Sequence, residues 1–202
     1  GLGMDVDVFN KEGYSIVEQK GELVCKSTFP SKPLYFWKDK NNIKYKKTYF
    51  SKYKNIWHHG DYCEKTRKNS YIIYGISDSI LNSGGIRIGT AELYRVVENI
   101  DNIEECVAVE HQLKADTEVI LFLKIKNKKL IDENIKSLIK TEIKYKLSPK
   151  HIPSKIFQIS DIPKTKSGKI VELSIKNVIN GNKINNLNSL SNPDCLKDYE
   201  SV

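Results

Sequence analysis

The hydrophobic pattern of the chain changes character near residue 77. Before it, apolar residues come in short runs that turn residues separate, which predicts short β-strands. The clearest of these runs are Val6–Phe9, Glu22–Cys25 and Tyr71–Tyr74. After residue 77, apolar residues recur at three- and four-residue intervals between strand-like runs, which predicts amphipathic helices alternating with strands. The fold class predicted is therefore α+β, with a β-rich segment over residues 1–77, a compact α+β domain over 78–181 and a polar tail over 182–202.

The elements of the second part can be predicted individually. Three strands are predicted at Glu105–Val109, Glu118–Ile125 and Lys155–Ile159. One helix carries Leu93, Val96, Val97 and Ile100 on one face, and another begins at Asp132 and ends before Ser148–Pro149. A last helix is predicted to open at Gly168 and to end at Gly181, with Val171, Ile175, Val178 and Ile179 turned inward.

Nine aromatic residues crowd the segment from 29 to 57. They are Phe29, Tyr35, Phe36, Trp37, Tyr45, Tyr49, Phe50, Tyr53 and Trp57. A ladder of aromatic rings can stack on nucleic-acid bases, but aromatic residues in short strands more often form a core, and we favour the core.

The chain is basic, with a net charge of +8 from 33 basic and 25 acidic residues. Such a charge suits a nucleic-acid or other anionic partner. Lysine, however, is scattered among Asn and Ile throughout, and arginine occurs only at Arg67, Arg87 and Arg95. Nucleic-acid surfaces usually cluster arginine. A compositional bias toward lysine is therefore the favoured explanation, and no nucleic-acid partner is expected.

The four cysteines and four histidines show no metal-binding spacing, so no metal site is expected. Widely spaced cysteines are typical of reduced thiols, and the chain shows neither a signal peptide nor an apolar run of the roughly 20 residues that a membrane helix needs. A cytoplasmic protein without a membrane partner is expected. Because the chain begins with Gly1 and its one methionine is Met4, we expect it to start inside a longer protein.

The stretch Gly75–Glu92, GISDSILNSGGIRIGTAE, is the most specific in the chain. Asp78 stands where a strand ends and the chain must turn. The double glycine at 84 and 85 allows backbone angles and close approaches that a side chain forbids. The stretch is therefore expected to lie where two bodies, or a body and a ligand, meet.

This stretch resembles the hinge motif of the adenylate-forming acyl-CoA synthetases. Two further motifs follow the same family: Trp57–Asp61 is similar to its aromatic-x-x-Gly-Asp element, and Ile162–Lys169 is similar to its Pro-x-Thr-x-Ser-Gly-Lys element. Three motifs in the family's order are far more specific than any one of them. The segments Pro33–Trp37, Ile86–Arg95 and Leu147–Pro153 are similar to the acetoacetyl-CoA synthetases within that family.

The resemblance implies that this chain is a C-terminal part of such an enzyme. Residues 1–77 would be the β-rich end of its large adenylation domain, and residues 78–181 its small α+β lid domain. The implied reaction uses ATP, with Mg²⁺, to convert acetoacetate into an acyl-adenylate, from which the thiol of coenzyme A displaces AMP.

Two residues are candidates for handling ATP. A flexible ammonium at Lys169 can bridge the substrate carboxylate and the α-phosphate, two anions that repel each other, and the resemblance implies that role. The Lys169 position is expected at a loop-to-helix junction that favours anions. The carboxylate of Asp61 can accept hydrogen bonds from both ribose hydroxyls. The alternatives are a solvated lysine and a turn aspartate.

Three residues of the hinge stretch are candidates for the second half-reaction. The resemblance implies that Asp78 is the pivot about which the lid rotates between the two steps. Gly85 would flank the tunnel for the pantetheine arm, and Arg87 would reach a phosphate or lock the second conformation. Each of the three also suits ordinary turn chemistry.

Two departures from the family count against activity. Ile76 stands where the family has an arginine that contacts the nucleotide, and an aliphatic side chain donates no hydrogen bond. The chain also lacks the family's phosphate-binding loop, adenine-binding segment and acyl pocket. We therefore expect the isolated chain to be inactive. One alternative is a non-catalytic remnant or a lid subunit that docks onto a separate N-terminal chain. A second alternative is a basic anion-binding module.

Overall fold

The computed structural model describes residues 3–83, 86–113, 116–128, 130–184 and 187–200. The chain folds into two compact units, Gly1–Asp78 and Ser79–Val202. We describe each unit by itself.

The first unit contains a four-stranded antiparallel sheet in the order β1-β2-β3-β4. Its strands are β1 (Val6–Phe9), β2 (Lys20–Cys25), β3 (Trp57–Lys65) and β4 (Tyr71–Ile76). Strand β2 must pass close to β1, because a Cβ on Gly21 would lie 2.5 Å from the carbonyl oxygen of Phe9. The glycine at this position therefore permits the strand pairing.

Helix α1 (Ile43–Phe50) covers this sheet with aromatic side chains. Tyr45 and Trp57 are buried together with Cys25, and four further aromatic residues pack against them: Phe29, Phe36, Tyr49 and Phe50. The rings of Tyr49 and Trp57 stack with centroids 3.8 Å apart. Tyr35 and Trp37 are instead exposed, so only part of the aromatic segment forms the core.

The second unit opens with a hairpin and continues as an α+β domain. The hairpin consists of β5 (Leu81–Ser83) and β6 (Ile86–Ile88). A three-stranded sheet follows in the order β7-β8-β9, antiparallel between β7 and β8 and parallel between β8 and β9. The remaining elements are α2 (Thr90–Val97), β7 (Ile103–Gln112), β8 (Thr117–Ile125), α3 (Glu133–Lys146), β9 (Lys155–Ile159) and α4 (Glu172–Ile179).

The three-stranded sheet is covered on both faces. Alternate residues of β7 and β8 point to opposite sides, as in any strand. Cys106, Ala108, Leu121 and Leu123 join the cluster that contains residues of α2 and α3. Val107, Val109, Ile120 and Phe122 join a second cluster with residues of α4 and with Tyr199. The strands are therefore apolar in nearly continuous runs, which is expected of strands buried on both faces.

The predicted α+β fold class is confirmed, but several details differ from the prediction. Helix α1 lies in a segment for which the sequence predicts short strands. The last helix begins at Glu172 rather than at Gly168, because Gly168 has a φ of +84° and belongs to a turn that the backbone of Thr165 closes.

Residues 187–200, within the segment predicted as a polar tail, pack against the rest of the second unit. Tyr199 is fully buried, and its ring meets that of Phe122 edge to face at 4.7 Å. The Tyr199 hydroxyl donates to the carbonyl oxygen of Asp161 at 3.1 Å. A few apolar residues thus anchor an otherwise polar segment.

The four cysteines are buried free thiols. Burial raises the pKa of the Cys63 thiol to about 12 and that of Cys195 to about 11, so both remain protonated at neutral pH. Among the described residues, no helix has the length and apolarity to cross a membrane.

Candidate functional site

Lys169 lies at the end of a tight turn in the second unit, just before α4. The Thr165 N–H donates to the Lys169 carbonyl oxygen at 2.8 Å, and the Gly168 N–H donates to the Thr165 carbonyl oxygen at 2.9 Å. The Thr165 hydroxyl accepts from the Lys169 N–H at 3.1 Å. A β-bridge between Lys164 and Ile170 closes the turn at its base. The expected helix junction is therefore a hairpin-like turn that presents Lys169.

The lysines of this turn have different surroundings. Lys164 is held by both carboxylate oxygens of Glu105, at 2.5 and 2.7 Å. Lys169 is exposed. Within the part of the chain that the structure describes, the Lys169 ammonium forms no ion pair. The Lys169 side chain is therefore available to an anionic ligand, as is that of exposed Lys166 in the same turn.

Residues 189–192 support the turn from the side. A bridge joins Thr165 to Leu190, and the Ser191 N–H donates to the Lys164 carbonyl oxygen at 2.8 Å. Asn192 accepts from the Lys164 N–H at 2.9 Å and donates to Asp161 at 2.6 Å. Sequence analysis missed this contribution, because neither charge nor periodicity marks the segment.

Tyr94 fixes the beginning of α4. Its buried hydroxyl donates to Glu172 Oε1 at 2.5 Å and accepts from the Ala108 N–H at 3.1 Å. Burial, and then the charge of Glu172, raise the pKa of Tyr94 well above its ordinary value. Tyr94 therefore acts as a neutral donor, and it joins α2, β7 and the helix that follows the Lys169 turn. Sequence analysis did not single out this pair either.

Asp61 lies in β3 of the first unit with about a third of its side chain exposed, at 34%. Its Oδ2 is 2.8 Å from His59 Nε2. The hydrogen bond to Asp61 raises the pKa of His59, although burial opposes the shift. Gly60 has a φ of +90° and would offer open space to a Cβ. In the strand register, Asp61 pairs with Ile76.

Asp78 is the last residue of the first unit and lies in a short 3₁₀ turn, Ser77–Ser79. The preceding residue is anchored, because the Ser77 hydroxyl donates to buried Glu22. Glu22 also accepts from Lys52 at 2.5 Å and contacts His58 at 3.0 Å. Burial alone would raise the pKa of Glu22, but the bonds from His58, Lys52 and Ser77 lower it to about 2. Ser77, the residue directly before Asp78, is therefore held in place by Glu22.

Arg87 lies in β6, where its cross-strand partner in β5 is Asn82. Gly85, the other residue assigned to the second half-reaction, lies outside the described residues. The candidate residues are thus divided between the units, with Asp61 and Asp78 in the first and Arg87 and Lys169 in the second. Among the described residues, no group of three His, Cys, Asp or Glu side chains could hold a metal ion.

Curated proteins similar to the chain include several acetoacetyl-CoA synthetases. The chain is 43% identical over 196 residues to an acetoacetyl-coenzyme A synthetase of Rhizobium meliloti and 39% identical over 203 residues to one of Xenopus tropicalis. These alignments cover 97% and 100% of the chain and 30% of each relative. The chain therefore spans about a third of the length of the curated relatives it matches. No protein-family profile matches it.

Solved structures agree with these relatives. An acetoacetyl-CoA synthetase from Streptomyces lividans superposes with a TM-score of 0.92 at 32% identity, covering 100% of this chain and 31% of that one. A benzoate CoA ligase from Burkholderia xenovorans superposes with a TM-score of 0.72 at 22% identity over 87% of this chain and 34% of that one, which supports the fold alone. Over its whole length, the chain is similar to a C-terminal part of the acetoacetyl-CoA synthetases.

Proposed function

We propose that this chain is part of an ATP-dependent acetoacetate–CoA ligase. Acetoacetate and ATP would form acetoacetyl-adenylate and pyrophosphate, and coenzyme A would then displace AMP to give acetoacetyl-CoA. The observation that carries the proposal is the similarity of sequence and backbone along the entire chain, with the Lys169 turn, Asp61 and Arg87 all present.

Lys169 would serve the first half-reaction. The carboxylate of acetoacetate must approach the α-phosphate, and both groups are negatively charged. The ammonium of Lys169 would contact both and would counter the charge that develops in the transition state. Its exposure supports this role, since an ion-paired lysine would first have to lose its partner. The turn that Thr165 closes would give the lysine a defined starting point.

Asp61 would hold the ribose of ATP. A carboxylate accepts hydrogen bonds only, so it suits two hydroxyl donors. The contact with His59 at 2.8 Å would keep the carboxylate in one orientation and leave part of it open to the ligand. Gly60 would leave room beside it, because no atom lies within 4 Å of the position of a Cβ there.

Asp78 would be the pivot of a rotating lid, and Gly85 and Arg87 would serve the second half-reaction. The division of the chain after Asp78 supports this assignment, because a rotation needs two bodies that are each compact. Arg87 would reach a phosphate of coenzyme A or stabilise the thioester-forming conformation.

ATP and coenzyme A are substrates in this scheme. The metal ion implied with ATP has no assigned ligand in this chain, because its described residues include no suitable cluster. We propose a cytoplasmic location, since four buried free thiols suit a reducing compartment.

The isolated chain is proposed to be inactive in the full reaction, because it spans about a third of its relatives. The alternative is a non-catalytic remnant, or a lid subunit that docks onto a separate N-terminal chain. One observation favours it: Ile76 places an aliphatic side chain opposite Asp61, where a donor to the nucleotide would be useful.

A chimera tests the proposal. In it, this chain replaces the matching 31% of the Streptomyces lividans enzyme, and AMP release from acetoacetate, ATP and coenzyme A is measured. We expect an active chimera, and we expect Lys169→Ala to slow acetoacetate-dependent ATP–pyrophosphate exchange by about 10²–10³-fold, as for loss of one transition-state contact. Lys166→Ala is the matched control, because it removes an exposed lysine from the same turn and should leave exchange within about twofold.

Each outcome has a clear meaning. An inactive but folded chimera would contradict the ligase proposal and favour the remnant. Equal losses in the two lysine variants would contradict the role of Lys169. Turnover by the isolated chain would contradict its proposed inactivity.

A further inference from the structure

Glu110 is a buried carboxylate in β7 that the proposed chemistry does not use. It is 6% exposed. Its Oε1 accepts two hydrogen bonds from Asn82, one from the backbone N–H at 2.5 Å and one from Nδ2 at 2.7 Å. Its Oε2 accepts from Lys176 Nζ of α4 at 2.7 Å. Both oxygens are thus bonded, which a buried charge requires.

Further bonds complete the network. Asn180, at the end of α4, donates to the Glu110 carbonyl oxygen at 3.0 Å and accepts from the Gln112 N–H at 2.7 Å. The Thr117 hydroxyl of β8 donates to the Asn82 carbonyl oxygen at 3.4 Å. Asn82 is therefore held at its amide nitrogen, its side chain and its carbonyl oxygen by β7 and β8 of the three-stranded sheet.

Asn82 is also the cross-strand partner of Arg87. The β5–β6 hairpin has only three residues in each strand, so its own ladder gives it little rigidity. An apolar contact would hold such a hairpin against the sheet but would leave its orientation free. A carboxylate that accepts two hydrogen bonds from one residue also fixes the orientation of that residue, because hydrogen bonds are directional.

We propose that Glu110 is a positioning residue for the thioester-forming step. It fixes Asn82, and through the Asn82–Arg87 pair it fixes where Arg87 points. Lys176 makes the arrangement possible by balancing the buried charge. The inference rests on the proposed function, in which Arg87 serves the second half-reaction and Lys169 the first.

The experiment uses the chimera with this chain and separates the half-reactions. Glu110→Gln keeps the side-chain shape, but its single amide oxygen can accept only one of the two sets of bonds, and its NH2 group donates where Glu110 accepts. We expect the conversion of preformed acetoacetyl-adenylate to acetoacetyl-CoA to slow by about tenfold, while ATP–pyrophosphate exchange stays within about twofold. Asn82→Ala should give the same split, and the double variant should be no slower than the slower single variant.

Glu118→Gln is the matched control. Glu118 is also a carboxylate of the three-stranded sheet, and it too has two partners: Lys155 at 2.7 Å and His111 at 2.8 Å. Unlike Glu110, it makes no bond to the described residues of the β5–β6 hairpin. Its variant should leave both half-reactions within about twofold. Hydrogen exchange of the 202-residue chain adds a readout independent of activity. Glu110→Gln should speed exchange of the Asn82 amide by about tenfold and leave amides of β8 unchanged.

The outcomes separate the inference from the function on which it rests. A wild-type chimera that fails both half-reactions overturns the ligase proposal, and the positioning role with it. An active chimera in which Glu110→Gln slows both steps equally, or neither, overturns the positioning role alone. Unchanged exchange at the Asn82 amide overturns it too. The positioning role is supported if Glu110→Gln slows only the thioester-forming step, by about tenfold, and speeds hydrogen exchange at the Asn82 amide. Loss of stability alone would slow both half-reactions.

Discussion

Asp61 of β3 and Ile76 of β4 are cross-strand partners in the antiparallel sheet of the first unit. Partners in such a sheet present their side chains to the same face, a few ångströms apart. Ile76 is 54% exposed, which is high for an isoleucine in a strand. An exposed apolar side chain thus stands beside the carboxylate proposed to hold ribose.

The variant Ile76→Arg is expected to strengthen ATP binding by the chimera. A guanidinium beside Asp61 would supply a charged donor to the nucleotide, and a hydrogen bond to a charged group contributes about 1.5–3 kcal/mol. The KM for ATP should fall by about tenfold or more, with little change in the KM for coenzyme A. Steady-state kinetics over a range of ATP concentrations measures both.

Ile72→Arg is the control for this variant. Ile72 is 38% exposed on the same strand, but its partner is Glu64, not Asp61. It adds the same charge away from the proposed ribose contact. An equal fall in the KM for ATP in both variants would show a general charge effect and would count against the role of Asp61.

The His59–Asp61 pair should make the stability of the chain depend on pH. The bond to Asp61 raises the pKa of His59 above its ordinary value in the folded chain. The pair therefore stabilises fully below the unfolded pKa of about 6.5 and loses this contribution as pH rises through the folded value. We expect His59→Gln to lower the Tm at pH 6 and to leave it nearly unchanged at pH 9, as circular dichroism melts would detect.

Asp61→Asn tests the origin of that dependence. Without the carboxylate, His59 has no anion to stabilise its charged form. In an Asp61→Asn background only burial acts on the His59 pKa, so replacing His59 should no longer lower the Tm more at pH 6 than at pH 9. If replacing His59 in this background still lowers the Tm more at low pH, a group other than Asp61 causes the pH dependence of stability.

Glu22 should stabilise the folded chain at neutral pH and lose this effect in acid, the reverse of the His59–Asp61 pair. Its folded pKa is about 2 against an ordinary value of 4.5. The contribution is therefore present above pH 4.5 and is lost as pH falls toward 2. Glu22→Gln should cost about 3 kcal/mol of unfolding free energy at pH 7, and the cost should shrink below pH 4.5. Urea unfolding at several pH values measures this, with exposed Glu12→Gln as a control that changes little at any pH.

The sequence predicted best those elements whose signals are local. The strand Lys155–Ile159 has the predicted bounds. The helix predicted to begin at Asp132 starts one residue later, with the Asp132 carboxylate accepting from the Ile135 N–H at 2.8 Å. Caps and apolar periodicity depend on neighbouring residues only, so one sequence is enough to recognise them.

What escaped prediction depends on contacts between distant residues. Helix α1 has a weak apolar face, and its aromatic residues also suit strands, so packing against Trp57 decides its form. Glu110 looks like a polar position on a strand, and only the hairpin and α4 together make it buried. The roles of Lys169, Asp61 and Arg87 were inferred from motifs and remain predictions, because position alone does not demonstrate chemistry.

Tyr199 should anchor the segment after α4 and, with it, the support of the Lys169 turn. Its ring is fully buried against Phe122, and truncation of such an aromatic residue costs about 3–5 kcal/mol. We expect Tyr199→Ala to lower the unfolding free energy by that amount, measured in urea. Tyr199→Phe, which loses only the bond to Asp161, should cost about 1 kcal/mol. Tyr145→Ala, at a position 87% exposed, is the control and should change stability by less than about 0.5 kcal/mol. Equal effects of the two alanine variants would mean that the segment contributes nothing to the core.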